Sequence, residues 1–278
     1  MQIWRYEFNS FSWSAFRGDC LDVMPLAVPD RSVNLILADL PYGSTSCPWD
    51  SIIPLGPMWA EYARVLAPGG CILLFGDMAF AATLITSNRR WYSHDVVWDK
   101  NKCGSPGLAK YRPMRTHEFV LCFAPGRYTY NPQMEEGEPY TRKPPKQIRC
   151  NHHGYGFAGT KAEGIENKGT RFPKSVRRVS RDFSAQQQIH PTQKPVPFLR
   201  WLIRSYSNPG AMVLDNSAGV MSSGVAAIHE GRSYIGIERD ECIDRKRGEL
   251  VKLNYFKPGC ERLAAAAAIA TCEEAAAA

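Results

Sequence analysis

Short apolar runs alternate with amphipathic stretches along the first hundred residues. Val33-Asn34-Leu35-Ile36-Leu37-Ala38 is nearly all apolar and ends at Asp39, the pattern of a strand buried on both faces. Met58 to Leu66 places apolar residues three and four apart, which predicts a helix stopped by Pro68-Gly69-Gly70. Cys71 to Gly76 reads as the next buried strand, Ala79 to Asn88 as a helix, and Asp95 to Trp98 as a further strand. Strands separated by helices of this length imply a parallel sheet in an α/β domain. The pattern returns later in the chain. Pro197 to Ser207 predicts a helix, Met212 to Asp215 a strand, Ser222 to Glu230 a helix, Tyr234 to Glu238 a strand and Asp240 to Tyr255 a last helix.

Between these halves, residues 101–187 are rich in Gly, Pro, Lys, Arg, Tyr and Asn, and only Glu118 to Phe123 resembles core. A long insertion of this kind in a compact domain is functional or unstructured. The division is therefore 17–100, 101–187 and 188–257, followed by a low-complexity tail over 258–278. From Leu263 that tail carries two alanine runs, which predict a frayed helix with no assigned role.

Charge sharpens the contrast. The chain of 278 residues has a net charge of +7, yet residues 100–182 hold 17 Lys and Arg against 7 Asp and Glu, leaving the rest at −3. A localised positive excess suits a nucleic-acid surface, because each neutralised phosphate releases a counterion. Tyr111, Tyr128, Tyr130, Tyr140, Tyr155, Phe157 and Phe172 interleave the basic residues, a mixture fit for backbone contact plus base stacking. Arg112, Arg115, Arg142, Lys143, Arg177 and Arg178 are the candidate DNA contacts, chiefly to phosphates. Nine scattered cysteines form no Cys-x-x-Cys pair, as in a reducing compartment. Cys150, His152 and His153 lack a fourth ligand, so no metal is expected. With no signal stretch and no membrane-length apolar run, the expectation is a soluble cytoplasmic protein, monomeric or homodimeric, with no membrane contact.

Two loops at strand ends carry the candidate chemistry. The segment from Met212 to Glu238 has the size of a βαβ unit, with Asp215-Asn216-Ser217-Ala218-Gly219 turning at the strand end. Glu238 follows at the spacing of a ribose-binding carboxylate. Dinucleotides and S-adenosylmethionine both use this arrangement. The loop Gly219-Val220-Met221-Ser222-Ser223-Gly224 is poor in glycine for a pyrophosphate, which favours the phosphate-free cofactor. The other loop, Asp39-Leu40-Pro41-Tyr42, opens where active sites of open α/β sheets lie.

Asp39-Leu40-Pro41-Tyr42 resembles the D-P-P-Y signature of the DNA amino-methyltransferases, with Leu40 in place of the first proline. His190-Pro191-Thr192-Gln193-Lys194-Pro195 resembles their H-x-T-Q-K-P element, and Gly18-Asp19-Cys20 their G-D-C/S element. The order of these pieces resembles the β group, most closely the phage and prophage adenine methylases with D-L-P-Y-G. Trp49-Asp50, Leu74-Phe75-Gly76, Tyr130-Asn131-Pro132-Gln133 and Phe172 to Val176 are similar to that subgroup.

The resemblance implies a Rossmann-like S-adenosylmethionine-dependent methyltransferase fold. It would be circularly permuted, the catalytic half preceding the cofactor half, with an inserted target-recognition region. It also implies double-stranded DNA as partner and Asp39, Leu40, Pro41 and Tyr42 as catalytic residues. Cofactor contacts would come from Asp19, Cys20, Asp39, His190, Thr192, Lys194, Asp215, Asn216, Ser217, Gly219 and Glu238, with His190 to Pro195 closing the methionine end. Where the family has D-x-x-x-G-x-G, this chain has Met221 at the second glycine, and its side chain is expected to crowd the cofactor's methionine tail.

The implied reaction methylates the N6 amine of an adenine flipped out of the duplex. The Asp39 carboxylate and Leu40 carbonyl would accept the amine hydrogens, and Tyr42 would stack on the base. Alternatives are N4 methylation of cytosine, a DNA-binding protein with a degenerate cofactor site, and a nicotinamide-dependent oxidoreductase. Carbon-5 methylation is disfavoured, since the nearest cysteine, in Cys47-Pro48, stands in reversed order for such a nucleophile.

Overall fold

The computed structural model describes residues 2–7, 11–45, 47, 49–104, 106–142, 165–180, 189–190, 192–244 and 248–277. Lys143, Cys150, His152, His153, Tyr155, Phe157, Pro48 and Pro191 lie outside the described residues.

The chain forms two compact units, one of Met1–Asn131 with Ser175–Ala278 and one of Pro132–Lys174. In chain order the larger unit contains strand β1 (Gln2–Glu7), β2 (Ser12–Arg17), helix α1 (Cys20–Ala27), β3 (Val33–Ala38), α2 (Leu55–Val65), β4 (Leu66–Gly76), α3 (Met78–Ser87), β5 (Tyr92–Gly104) and β6 (Arg115–Phe123). The smaller unit holds β7 (Glu135–Glu136), β8 (Tyr140–Arg142), β9 (Ile165–Asn167) and β10 (Thr170–Arg171). The larger unit resumes with β11 (Val176–Arg178), α4 (Val196–Tyr206), β12 (Met212–Asp215), α5 (Ser222–His229), β13 (Ser233–Glu238), β14 (Glu241–Ile243), β15 (Leu250–Lys252) and α6 (Phe256–Ala277).

Nine strands make one sheet in the order β1-β2-β13-β12-β3-β4-β6-β5-β11. Its centre is parallel, from β2 through β13, β12 and β3 to β4. The sheet is mixed rather than wholly parallel, because β6 runs antiparallel between β4 and β5 and β1 antiparallel to β2. Hydrophobic periodicity is the same for either direction, so it could not distinguish them. One face packs on α4, α5 and α6 through Phe198, Leu202, Ala227 and Leu263. The other packs on α1, α2 and α3 through Met24, Met58, Tyr62 and Leu84. The chain leaves β3 for β4 on one side and β12 for β13 on the other, while β3 and β12 are parallel neighbours. Their adjoining carboxyl ends are a topological switch point, where open α/β sheets bind ligands.

Two expected boundaries change. Helix α2 ends at Val65, and Pro68-Gly69-Gly70 lies inside β4 at a register shift against β3. Gly69 has φ +78°, and a Cβ on Gly70 would stand 2.9 Å from the Asn34 carbonyl oxygen, so the sequence makes a bulge here instead of a loop. The helix expected over Asp240 to Tyr255 is replaced by the antiparallel pair β14–β15. Asp240 has φ +57°, outside the right-handed helical region. Its carboxylate accepts from Tyr255 N at 2.5 Å and Phe256 N at 3.1 Å, so helix formation begins at α6.

The alanine-rich tail is the body of α6, a 22-residue helix. Leu263, Ala266, Ala267 and Ala270 are buried at helical spacing. The approach to α5 is close: a Cβ on Gly224 would stand 2.5 Å from Leu263 Cδ2. In the smaller unit, β7 pairs with β10 and β8 with β9, and Arg171 lies 4.7 Å over the Tyr140 ring. No helix among the described residues is long and apolar enough to cross a membrane.

Candidate active site

A cavity of about 410 Å³ opens at the switch point, lined from both halves of the larger unit. Of the sequence candidates, Asp19, Cys20, Asp39, Leu40, Pro41, Tyr42, His190, Thr192, Lys194, Asp215, Asn216, Ser217, Gly219 and Glu238 all line it.

Asp39 directly follows β3. Leu40, which also lines the cavity, buries its side chain among the residues facing α1–α3 and so anchors the loop. The next turn is held by Asp50, whose carboxylate oxygens accept from Gly43 N at 2.7 Å and Thr45 N at 2.6 Å. Tyr42 packs on Phe80 with ring centroids 5.1 Å apart. Its hydroxyl donates to Asp39 Oδ1 at 2.8 Å. The other carboxylate oxygen, Asp39 Oδ2, lies 2.7 Å from Lys194 Nζ. Lys194, expected at the cofactor's methionine end, thus stands against Asp39, the candidate catalytic residue. Burial raises the Asp39 carboxyl above its ordinary value, against the Lys194 charge, and the Glu118 charge raises it further.

The other half of the cavity is polar and ordered. Glu238 Oε2 accepts from Gly219 N at 2.6 Å and Oε1 from Asp240 N at 3.1 Å, so this carboxylate pins the turn after β12. Burial raises its carboxyl. Asp215 Oδ1 accepts from Ser217 N at 3.1 Å, and Oδ2 accepts from the Ser223 hydroxyl. Burial pushes the Asp215 carboxyl up to about 7. Tyr62 donates to Asn216 Oδ1 at 2.7 Å, and Asn216 Nδ2 reaches Cys20 Sγ at 3.5 Å. Asp19 caps α1 by accepting from Leu21 N. His190 lies edge-on to Tyr255 at 4.3 Å, and burial lowers its pKa to about 4, so it is neutral near pH 7.

These groups suit a nucleoside-bearing, phosphate-free cofactor. Among the described residues, the Ser217 hydroxyl is buried in the cavity wall with no hydrogen-bond partner, and such a group calls for a ligand. The turn presents a carboxylate, an amide and hydroxyls, with no glycine-rich nest for a pyrophosphate.

Met221 does not crowd this space. It has φ +58°, which turns its side chain into the core, where it is fully buried. Tyr234 OH approaches Met221 Sδ at 3.6 Å. A Cβ on Gly236 or Gly259 would come within 2.7 or 2.6 Å of the Met221 side chain. Glycines on β13 and α6 therefore make the room that the family glycine leaves at position 221. Arg262 of α6 donates to the Val220 carbonyl and to Ser222 Oγ, tying the same loop from behind.

The basic candidates are dispersed. Arg112 is exposed. Arg115 lines the cavity and pairs with Asp77 at 2.9 Å. Arg177 lies 4.8 Å over the Trp201 ring, and Arg178 pairs with Asp99 at 2.7 Å. Arg142 is exposed in the smaller unit. Sequence reasoning missed Lys100, Glu118, Asp50 and Tyr255, all of which line the cavity. An acid inside an apolar strand was the available signal for Glu118.

Known proteins place the chain. A family model described as DNA methylase matches residues 33–245. The DNA adenine methyltransferase YhdJ of Escherichia coli (strain K12) is 26% identical, covering 92% of this chain and 84% of that protein. Among solved structures, the M1.HpyAVI–SAM complex has a TM-score of 0.59 at 18% identity, over 90% of this chain and 98% of that one. The PvuII DNA methyltransferase, described as cytosine-N4-specific, has a TM-score of 0.63 at 15% identity, over 90% and 86%. A DNA modification methylase of Thermus thermophilus, described as putative and complexed with S-adenosyl-L-methionine, has a TM-score of 0.54 at 20% identity, over 91% and 95%. The structural likenesses carry the fold.

Proposed function

The chain belongs to the DNA methylase family, and we propose that it transfers a methyl group from S-adenosylmethionine to the N6 amine of a flipped adenine in DNA. The observation that carries this reading is Asp39 at the mouth of β3, oriented by Tyr42 and Lys194 at the edge of a cavity fit for the cofactor. The relative named as an adenine methyltransferase favours N6 over cytosine N4.

When bound, the cofactor supplies an electrophilic methyl group on a sulfonium. Glu238 would hold the ribose hydroxyls, Ser217 and Asn216 would contact the cofactor's polar edges, and Asp19 and Cys20 would border its adenine. His190 and Thr192 close the far side. An exocyclic amine is a weak nucleophile because its lone pair is delocalised into the ring. Asp39 accepts one amine hydrogen and the Leu40 carbonyl the other, which favours the tetrahedral, cationic nitrogen of the transition state. Bound there, S-adenosylmethionine would supply its methyl group to this nitrogen and keep the electron pair of the sulfur–carbon bond. The nitrogen then gives its surplus proton to Asp39, whose raised carboxyl suits it to accept. Tyr42 and Pro41 flank the base.

Arg112, Arg115, Arg142, Lys143, Arg177 and Arg178 are proposed to meet the DNA backbone, with Pro132–Lys174 contributing to target recognition. The test is to incubate the protein with S-adenosylmethionine and unmethylated DNA, then digest the DNA and analyse its nucleosides by mass spectrometry. N6-methyladenine is the expected product. N4-methylcytosine would move the substrate to the other amine, and no methylated nucleoside would refute the reading.

A further inference from the structure

Four charged side chains form a line in the cavity wall, each from a different segment. Lys100 Nζ on β5 is 3.0 Å from Glu118 Oε1 on β6. Lys194 Nζ, just before α4, is 3.1 Å from Glu118 Oε2 and 2.7 Å from Asp39 Oδ2. The side chains of Lys194 and Glu118 are only 7% and 11% exposed. Apolar rings surround the ammonium: Phe75 at 4.9 Å, with Trp98 and Tyr42 each at 5.9 Å. Withdrawing such charges from water carries a large desolvation penalty, and buried ion pairs are poor contributors to stability. Fold stability is therefore a weak reason for placing a second carboxylate beside the one that grips the amine.

We propose that Glu118 is a positioning residue for amine methylation, sharing the Lys194 ammonium with Asp39 so that Asp39 stays oriented but only partly neutralised. This rests on the methyl-transfer reading above. Paired with Asp39 alone, Lys194 would cancel most of the charge meant for the nitrogen as it turns cationic. With Glu118 on its other side, and Lys100 beside Glu118, these four charges sum to zero and Asp39 keeps its pull on the substrate. Burial and ion pairing agree with this division. Burial raises the Glu118 carboxyl, yet Lys194 and Lys100 overcome it and hold it at about 2. Burial lowers the Lys194 amine, while Asp39 and Glu118 together bring it above its ordinary value. Of the two carboxylates in the line, Asp39 is the one left raised.

Among the described residues, the other charged and titratable groups facing Asp39 and Lys194 are the Tyr42 hydroxyl, Asp77 with its partner Arg115, Asp215 at the end of β12, and His190. Of these, the Tyr42 hydroxyl also feels the Glu118 charge, which raises it, so Glu118→Gln acts on Tyr42 as well as on Asp39 and Lys194. Burial is the main cause that raises Asp39, and Asp39 is the main charge that raises Lys194; Glu118→Gln removes the contribution that Glu118 adds to each. Both limbs of the kcat–pH profile should then move to lower pH, with kcat near neutral pH falling about tenfold or more. S-adenosylmethionine affinity, read by calorimetry, should stay within about twofold, since Glu118 is proposed to act through Lys194.

Because Glu118→Gln leaves a buried ammonium under-compensated, the double variant Lys100→Met/Glu118→Gln is made beside it. It restores neutrality and foldedness, and the displaced limbs should persist. A carbon-13 NMR titration of the Asp39 carboxyl, assigned with Asp39→Asn, applies whether or not the protein turns over. Asp39 should titrate at lower pH in the foldable Glu118 variants than in the wild type. An unchanged Asp39 titration would overturn the inference. A displaced titration in a protein that transfers no methyl group would uphold the charge sharing and refute the methylation reading instead.

Discussion

Replacing Met221 by glycine restores the family's loop pattern and separates two views of that position. The Met221 side chain is fully buried between β13 and α6. Removing a buried methionine side chain costs about 2–5 kcal/mol, with a cavity left behind. Against this stands the left-handed backbone at φ +58°, which costs a non-glycine residue about 1–2 kcal/mol that glycine would not incur. The net expectation is a loss of about 2 kcal/mol, a fall in Tm of about 4–8 °C for a chain of this size. Differential scanning calorimetry measures it. Isothermal titration with S-adenosylmethionine on the same sample should give an affinity within about threefold of the wild type, because the side chain faces away from the cavity. Markedly tighter cofactor binding with no loss of Tm would refute the reasoning, since it would mean that Met221 does obstruct the cofactor.

Three further outcomes follow from the site. Tyr42→Phe removes the hydroxyl that orients Asp39; kcat should drop about tenfold to a hundredfold, as for loss of a hydrogen bond to a charged group, with cofactor affinity kept. Arg262→Ala frees the Val220 carbonyl from α6 and should weaken S-adenosylmethionine binding in calorimetry more than it lowers Tm; a fall in Tm alone would make Arg262 purely structural. The Asp215 carboxyl sits near 7 in the folded protein against an ordinary 3.8. The native state then holds more protons than the unfolded state between those values. Its contribution is present below pH ~4 and is lost as pH rises through about 7. Asp215→Asn should therefore raise Tm relative to wild type more at pH 8 than at pH 5, and a difference independent of pH would contradict that assignment.

The candidate site was legible where its residues lie contiguously at strand ends. Asp39 to Tyr42 and Asp215 to Gly219 each follow a short apolar run, and the pattern that marks the strand also marks its mouth. The fold brings both loops to one cavity because β3 and β12 are neighbours. Glu118 and Lys100 were not legible, because their significance comes from Lys194, which reaches them only through packing. The alanine runs were obscured for another reason. Composition reads them as low complexity, whereas small side chains at helical spacing let α6 approach α5 closely at Gly224. Met221 shows the same limit: a single position predicts a clash, but Gly236 and Gly259 decide where the side chain goes.

The proposed activity is methylation of the adenine amine in DNA through Asp39. Long-read mapping of modified bases tests it most directly, using DNA from cells that express the wild type or Asp39→Ala at matched levels. N6-methyladenine is expected at one recurring sequence with the wild type and none with the variant. An unmodified genome in wild-type cells, or equal modification by Asp39→Ala, would contradict it.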